Sequence, residues 1–364
     1  MRICFIGDGN SIHIQRWVGW FGARHEVLLL STTADATVEN QQVLDLPSAP
    51  GHRARLLRSL AMVRQTLASY KPDLLHSHYI NEAGWLGAAA RARPLVVTAW
   101  GSDVYRAPVE SLLARRLNPW AVRHADWVTC DSHHQASVLR SWGASPERVS
   151  VIGWGVDREQ FHADVDGRGF ARALGIPDTA RVLLSPRQWN ANSHVAQIVA
   201  AHGRLGEDVY LMLKSFPGRG GDATDEVERA VTDSPARDRI RTVGDLEPGD
   251  LPAMYAAADV VISCCATDGT PVSVLEAMAV GRFIVALDNP SLAEWVSQPG
   301  GSLVEAPGPE AIVHAVAKFF SEADGAARAR AHNVAVISQR ADRATEFRRM
   351  DGIYEQLLQE RTLR

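Results

Sequence analysis

The chain has 364 residues, 46% of them hydrophobic and 22% charged. That length suggests two domains, and these fractions exclude a disordered or fibrous chain. A formal net charge of −4 argues against a dedicated nucleic-acid-binding protein.

The first half alternates strand and helix signals. Arg2–Ile6 is an apolar run ending at the turn Gly7-Asp8-Gly9, and Glu26–Leu30 and Gln42–Leu46 read as further strands. Arg53–Ser69 carries Leu56, Leu57, Leu60, Val63 and Leu67 at helical spacing. Leu74-Leu75-His76 follows, then an Ala-rich helix from Ala83, the strand Leu95–Thr98 and a helix after Pro108. Asp126–Cys130 and Val149–Ile152 read as strands on either side of a helix, Ser132–Trp142.

The stretch Gly153–Gly175 is rich in Gly and Asp and lacks periodicity, so the hinge between domains is placed there. The pattern then restarts, with strands Arg181–Ser185, Val209–Lys214, Ile240–Val243, Val260–Ser263 and Phe283–Leu287. A helix, Val195–Leu205, and others near Asp225, Leu251, Val272, Ser291 and Glu310 separate or follow them, and Ala326–Leu358 reads as helix without strand partners. Strands separated by helices imply parallel sheets. The expected fold is therefore α/β, with two doubly wound units: residues 1–155, residues 156–340, and a C-terminal helix, 341–364, packing back toward the first unit. In such units ligands bind at the carboxyl ends of the strands.

Cys4, Cys130, Cys264 and Cys265 form no C-x-x-C pair, which points to a reduced, cytoplasmic compartment. No apolar run reaches bilayer-spanning length; the later ones are broken by Asp259 or Arg282. Peripheral membrane contact stays open.

The most informative segment is Asp268-Gly-Thr-Pro-Val-Ser-Val-Leu-Glu276, between a strand and a helix. Thr270 reads as the helix N-cap and Pro271 as its first residue. Amides near Gly269–Val272 would then point out of the helix start, a ready site for a diphosphate. Asp268 is placed to meet sugar hydroxyls. Glu276 lies between Leu275 and Ala277, where a carboxylate needs a partner, and a ribose diol offers two donors. A loop Asp and a satisfied helical Glu account for the same spacing equally well.

These residues carry a resemblance. Asp268, seven residues, then Glu276-Ala-Met-Ala-Val-Gly281 resembles the signature of family-4-type retaining glycosyltransferases of the GT-B fold. Gly155-Val156-Asp157 with Phe161 resembles that family's interdomain G-V-D-x-x-x-F. Asp73-Leu-Leu-His-Ser-His78 and Val96-Val-Thr-Ala-Trp-Gly-Ser-Asp103 resemble its D-x-x-H-x-H and V-x-T-x-x-G-x-D strand ends. The resemblance implies two Rossmann-like domains facing a central cleft, and a transferase moving a sugar from a nucleotide-diphosphate sugar with retention, UDP favoured and GDP next. The acceptor, whether small molecule, lipid-linked or glycan, is not readable. A sugar-nucleotide epimerase and a non-catalytic sugar-nucleotide-binding protein are the rival readings.

The resemblance also assigns roles. Glu276 holds the nucleotide ribose; Asp268 and the following amides, Gly269 to Val272, meet the donor sugar. Arg187, at the end of its strand, clamps the diphosphate. The family's lysine five residues later is Asn192 here, so the second charge is assigned to Lys214, with Arg219 next. Gly9 and Asn10, in the turn after the first strand, and Gly244 and Leu246 complete the donor side. On the acceptor side His76 and His78 are expected to point to opposite faces, with His78 toward the crevice. Trp100 replaces a family histidine and offers a stacking face. Asp103 reads either as a crevice carboxylate or as a cap, and His13 either as an acceptor contact or as part of a half-exposed helix face. Asp164-Val-Asp166 superficially matches the metal motif of the other large glycosyltransferase fold, but it sits in the hinge. No metal and no cofactor are therefore expected, and no nucleic-acid partner.

Overall fold

In the computed structural model, residues 1–47, 52–216 and 221–363 are described. Their strands form two parallel sheets, and the chain divides into two units, Met1–Trp154 with Thr345–Arg364, and Gly155–Ala344. The first sheet holds β1 (Arg2–Gly7), β2 (Glu26–Ser31), β3 (Gln42–Asp45), β4 (Leu74–His78), β5 (Leu95–Thr98), β6 (Trp127–Cys130) and β7 (Val149–Val151). Their order is β3-β2-β1-β4-β5-β6-β7. The second sheet holds β8 (Arg181–Ser185), β9 (Val209–Lys214), β10 (Ile240–Val243), β11 (Val260–Ser263), β12 (Phe283–Leu287) and β13 (Gly301–Val304), in the order β10-β9-β8-β11-β12-β13. Both are doubly wound Rossmann-like sheets. The order reverses between β1 and β4 in one, and between β8 and β11 in the other. Those reversals open a crevice at the carboxyl ends of the strands.

The strand sequences follow from this layering. β4, β5 and β12 are buried at every position, as expected where helices cover both faces of a sheet. In the second sheet Leu184, Met212 and Val261 face one core, and Leu183, Leu211, Val260 and Ile262 face the other. That is the period of two of a pleated strand.

The last helix, Arg343–Thr362, has a single buried face, set by Phe347, Met350, Ile353, Tyr354 and Leu357 at three- and four-residue spacing. Phe347 packs on Trp17, with ring centroids 4.7 Å apart, and Tyr354 hydrogen-bonds His76 inside the first unit. Glu346 accepts the Gly153 amide at 2.8 Å and the Arg349 guanidinium at 2.7 Å.

Three elements differ from the sequence expectation. The Gly153–Gly175 stretch contains a short helix, Arg168–Ala173, with no fully buried residue, so it carries no hydrophobic stripe to read. β13 was missed because two of its four residues are Gly and Ser. The C-terminal helical stretch is two helices, Gly325–Arg340 and Arg343–Thr362. Between them Asp342 bridges to Val156 in parallel. There Gly155 has φ +62°, and a Cβ on it would lie 2.4 Å from the Arg343 Cα. Only glycine fits that approach. Val156 and Phe161 are buried in the same core, and Asp157 pairs with Arg343 at 3.4 Å. The G-V-D-x-x-x-F residues are thus packing residues of the second unit.

Candidate active site

In the second unit the two lips of the crevice are the segments after β8 and β11. Arg187 follows β8 by two residues and Asp268 lies in the loop after β11. Their side chains meet across the reversal point, Nη2 to Oδ2 at 2.6 Å, and Arg187 Nη1 donates to Ser273 Oγ at 3.2 Å. Each side chain keeps about a fifth of its surface exposed, 19% and 20%. Burial works against the Arg187 charge, but the Asp268 carboxylate raises its pKa further above the ordinary arginine value. The guanidinium stays a cation with donors left over for an anion.

Lys214 ends β9, the strand next to β8, and the pairing of Ser185 with Leu213 sets the two strand ends level. It is 6% exposed. Its ammonium donates to the Ser215 carbonyl at 2.5 Å, lies 4.0 Å from Asp245 and sits 4.4 Å above the Phe216 ring. The residue next considered, Arg219, lies outside the described residues.

The helix after Asp268 spans Val272–Ala279, one residue later than the sequence suggested. Pro271, not Thr270, is the cap residue, with φ −74° and ψ 109°, and no side chain caps the helix. The Thr270 hydroxyl accepts from Trp295 Nε1 at 3.1 Å. Pro271 has no N–H, so the outward-pointing amides are those of the helix's first turn, beginning at Val272. Gly269, Thr270 and Pro271 are buried, and Val272 and Ser273 half-buried. Glu276 is 5% exposed, flanked by the core residues Leu275 and Ala277.

Asn192 does not stand as an open neutral substitute for a lysine. Its Oδ1 accepts from the Thr267 amide and hydroxyl, each at 3.0 Å, and its Nδ2 donates to the Thr267 carbonyl at 2.8 Å. It fixes the loop that carries Asp268. Gly244 is exposed after β10, and Leu246 packs against the core.

In the first unit, Gly9 and Asn10 lie in the turn after β1. Gly9 is buried under Ala36 and Ser31, where a Cβ would approach the Ala36 Cβ to 2.5 Å. Asn10 is exposed and donates to the Ala34 carbonyl at 3.3 Å. His76 and His78 do not point to opposite faces. Two residues apart on one strand, they share a face, with their rings 4.1 Å apart and both buried. Burial lowers the His78 pKa to about 3 and holds His76 well below the ordinary histidine value. His13, Trp100 and Trp154 form an aromatic cluster beside them; His13 lies 4.7 Å from Trp154, and Trp100 4.9 Å from Trp154.

Of the two readings of Asp103, the cap-like one fits its contacts. It is wholly buried. One carboxylate oxygen accepts the Trp100 and Gly101 amides at 3.0 and 2.9 Å, and the other accepts the Ile80 amide at 2.8 Å. It ties the end of β5 to the turn after β4, which is the cap-like reading in a tertiary form.

Comparison with known proteins places the chain in a family and a fold. A family profile described as "Glycosyl transferase 4-like" matches residues 2–132, and one described as "Glycosyl transferases group 1" matches residues 170–334. The chain belongs to the family-4-type glycosyltransferases of the GT-B fold. It is 27% identical over 282 residues to D-inositol 3-phosphate glycosyltransferase 2 of Catenulispora acidiphila, covering 70% of this chain and 65% of that one. The matched region therefore spans just under two thirds of that relative's length. Sucrose-phosphate synthase from Thermosynechococcus elongatus shares the fold with a TM-score of 0.87 and 18% identity, over 99% of this chain and 100% of that one. Anabaena Alr3699/HepE, solved in complex with UDP and glucose, does so with a TM-score of 0.82 and 20% identity, over 98% and 100%.

Within this member of the family, sequence reasoning missed Ser273, Trp295, Tyr79 and Glu82. Ser273 sits inside the signature, but its bond to Arg187 crosses 86 residues of chain. No local signal marks the others. Asp164 pairs with Arg330 at 2.7 Å and Asp166 accepts the Arg168 amide at 2.9 Å, so the D-x-D resemblance is spent on structure. Among the described residues no group of three or more His, Cys, Asp or Glu side chains could hold a metal ion, and no helix is long and apolar enough to cross a membrane. The four cysteines are buried and unbridged.

Glu276→Ala is expected to weaken UDP binding by about 1.5–3 kcal/mol, the value of charge-assisted hydrogen bonds to a diol. Titration calorimetry on a variant with wild-type melting checks this. Unchanged affinity removes the ribose role.

Proposed function

We propose that this glycosyltransferase-family chain transfers a sugar from a nucleotide-diphosphate sugar, with UDP as the favoured nucleotide, to an acceptor hydroxyl with retention at the anomeric carbon. The observation that carries the reading is the Arg187–Asp268 pair at the reversal point of the second sheet, beside the start of the Val272–Ala279 helix. A cation, a carboxylate and helix-start amides at one strand edge are what a sugar diphosphate needs. Arg187, Lys214 and those amides stabilise the charge that grows on the diphosphate as the sugar leaves. Asp268 meets the sugar hydroxyls, and Glu276 the ribose.

The bond from the anomeric carbon to the diphosphate oxygen breaks, and the electron pair leaves with the diphosphate. The acceptor oxygen bonds to the same carbon on the same face. Its proton passes to the departing phosphate oxygen, so no protein nucleophile is required. The charge comes from side chains and helix dipole, so transfer proceeds without a metal.

UDP release from UDP-glucose, UDP-galactose and GDP-mannose, measured with EDTA present throughout, tests the reading. Release stimulated by an acceptor extract, with a glycosylated product of retained configuration, supports it. UDP binding with neither hydrolysis nor transfer would identify a binding protein. Turnover only after Mg²⁺ or Mn²⁺ is added would overturn the metal-free mechanism.

A further inference from the structure

Donor binding leaves a cavity in the first unit unexplained. It measures about 480 Å³ and is lined wholly by residues of the first unit. Asp8 follows β1, Thr33 follows β2, His78 ends β4 and Trp100 follows β5. The cavity therefore opens at the reversal point of the first sheet, where such folds bind ligands.

The backbone here is held away from its ordinary minima. Tyr79, directly after β4, has φ +79° and ψ 121°. A single π-turn, Ile80–Gly84, follows, and Asn81 within it has φ −56° and ψ −116°. Positive φ at a bulky residue and isolated π-turns both concentrate at functional sites.

Three features of the lining define its chemistry. First, His78 is 1% exposed, and neither ring nitrogen has a hydrogen-bond partner. With its pKa lowered to about 3 by burial, the ring is neutral and carries one donor and one acceptor. A hydroxyl satisfies both roles, whereas the neutral ring offers a phosphate no charge. Second, the Trp100 indole nitrogen is also buried without a partner, and its ring offers a flat wall to a sugar or cyclitol. Third, the charges do not balance. Glu82 is neutralised by Arg55. Asp8 bonds only neutral donors, the Asn10 amide at 3.0 Å and the Thr33 hydroxyl at 2.7 Å. Among the described lining residues, two carboxylates face one guanidinium. A dianionic phosphate is repelled there, and an ammonium is attracted.

We propose that this cavity holds the acceptor, and that it selects an uncharged or amine-bearing polyol over the same polyol's phosphate ester. His78 meets a ring hydroxyl, and Asp8 and Glu82 set the charge preference. The inference rests on the glycosyltransferase reading above and adds the acceptor class to it.

The test uses two matched series: glucose, glucosamine and glucose 6-phosphate; and myo-inositol, 2-deoxystreptamine and myo-inositol 3-phosphate. Each is titrated calorimetrically into the full chain, with and without UDP. The plain or amino form of at least one series should bind about tenfold or more tighter than its phosphate, an energy of about 1.4 kcal/mol. Asp8→Asn should reduce that preference severalfold. Glu82→Gln, which frees Arg55, should independently shift selection toward the phosphate, so the inference does not depend on one variant folding. His78→Phe should lose polyol binding and keep UDP binding. Tighter binding of a phosphate in the wild type overturns the inference. So does a chain that binds UDP but no member of either series. Failure to bind either UDP or GDP as well would instead overturn the nucleotide-sugar reading.

Discussion

Arg187→Ala is expected to lower kcat with a UDP-sugar by about 10²–10³, the usual cost of removing one strong electrostatic contact to a charge that grows in the transition state. The departing diphosphate gains charge, so turnover should fall more than substrate affinity. Removing Arg187 also strips Asp268 of its partner at 2.6 Å, so Arg187→Lys, which keeps the charge but not the planar fork, is the informative companion. Lys214→Ala should have an effect of similar size if Lys214 supplies the second charge. The double variant should then fall short of the product of the two losses, because both groups act on one leaving group. Unchanged kcat in Lys214→Ala would return the search to Arg219. Asn192 carries no charge, yet Asn192→Ala should still matter. Its three bonds to Thr267 now predict a loosened Asp268 loop, seen as a raised KM and lowered melting temperature. Steady-state kinetics and melting curves on the same preparations separate these outcomes.

Asp103→Ala should destabilise the protein by about 3–5 kcal/mol. It leaves three buried amides without an acceptor, each worth about 1–3 kcal/mol and not fully additive. Asp103→Asn should cost less, because one oxygen can still serve Trp100 and Gly101. The pH dependence gives a second readout. Burial raises the Asp103 pKa to about 6, although backbone hydrogen bonds from Ile80, Trp100 and Gly101 pull it down. Between the ordinary carboxylate value and about 6 the folded chain holds a proton that the unfolded chain has lost. Its contribution therefore falls as pH rises through that window, by about 1.4 kcal/mol per unit. The Asn variant lacks this slope. Subtracting its urea-unfolding free energies from those of wild type across pH 4–7 isolates the slope. A flat difference would show that the carboxyl titrates normally.

Much of the candidate site was legible because its residues are local. Asp268, the helix start and Glu276 lie within nine residues, and a strand-turn-helix reading suffices to put them at a strand edge. Arg187 was placed by its resemblance to the family's strand-end arginine, and Lys214 as the charge to replace the lysine absent at Asn192. What the sequence left open or misplaced involves contacts distant along the chain. Thr270 reads as a cap, but its hydroxyl accepts from Trp295, 25 residues on. Of the two readings of Asp103 the cap-like one holds, and one of its partners, Ile80, lies 23 residues back.

The sequence by itself determined two alternating α/β halves, their parallel sheets and the family signature, because strand period, helix period and turn chemistry are written in neighbouring residues. Only the tertiary structure decided which polar groups are spent on structure and which remain for a ligand. Asp103 is spent on the amides of Trp100, Gly101 and the distant Ile80, and Asn192 on the backbone and hydroxyl of Thr267, 75 residues on. His78 is enclosed beside Phe5 and Trp17 with both ring nitrogens unpartnered. Burial and pairing depend on what packs against a residue, and for these residues that is a segment far away along the chain.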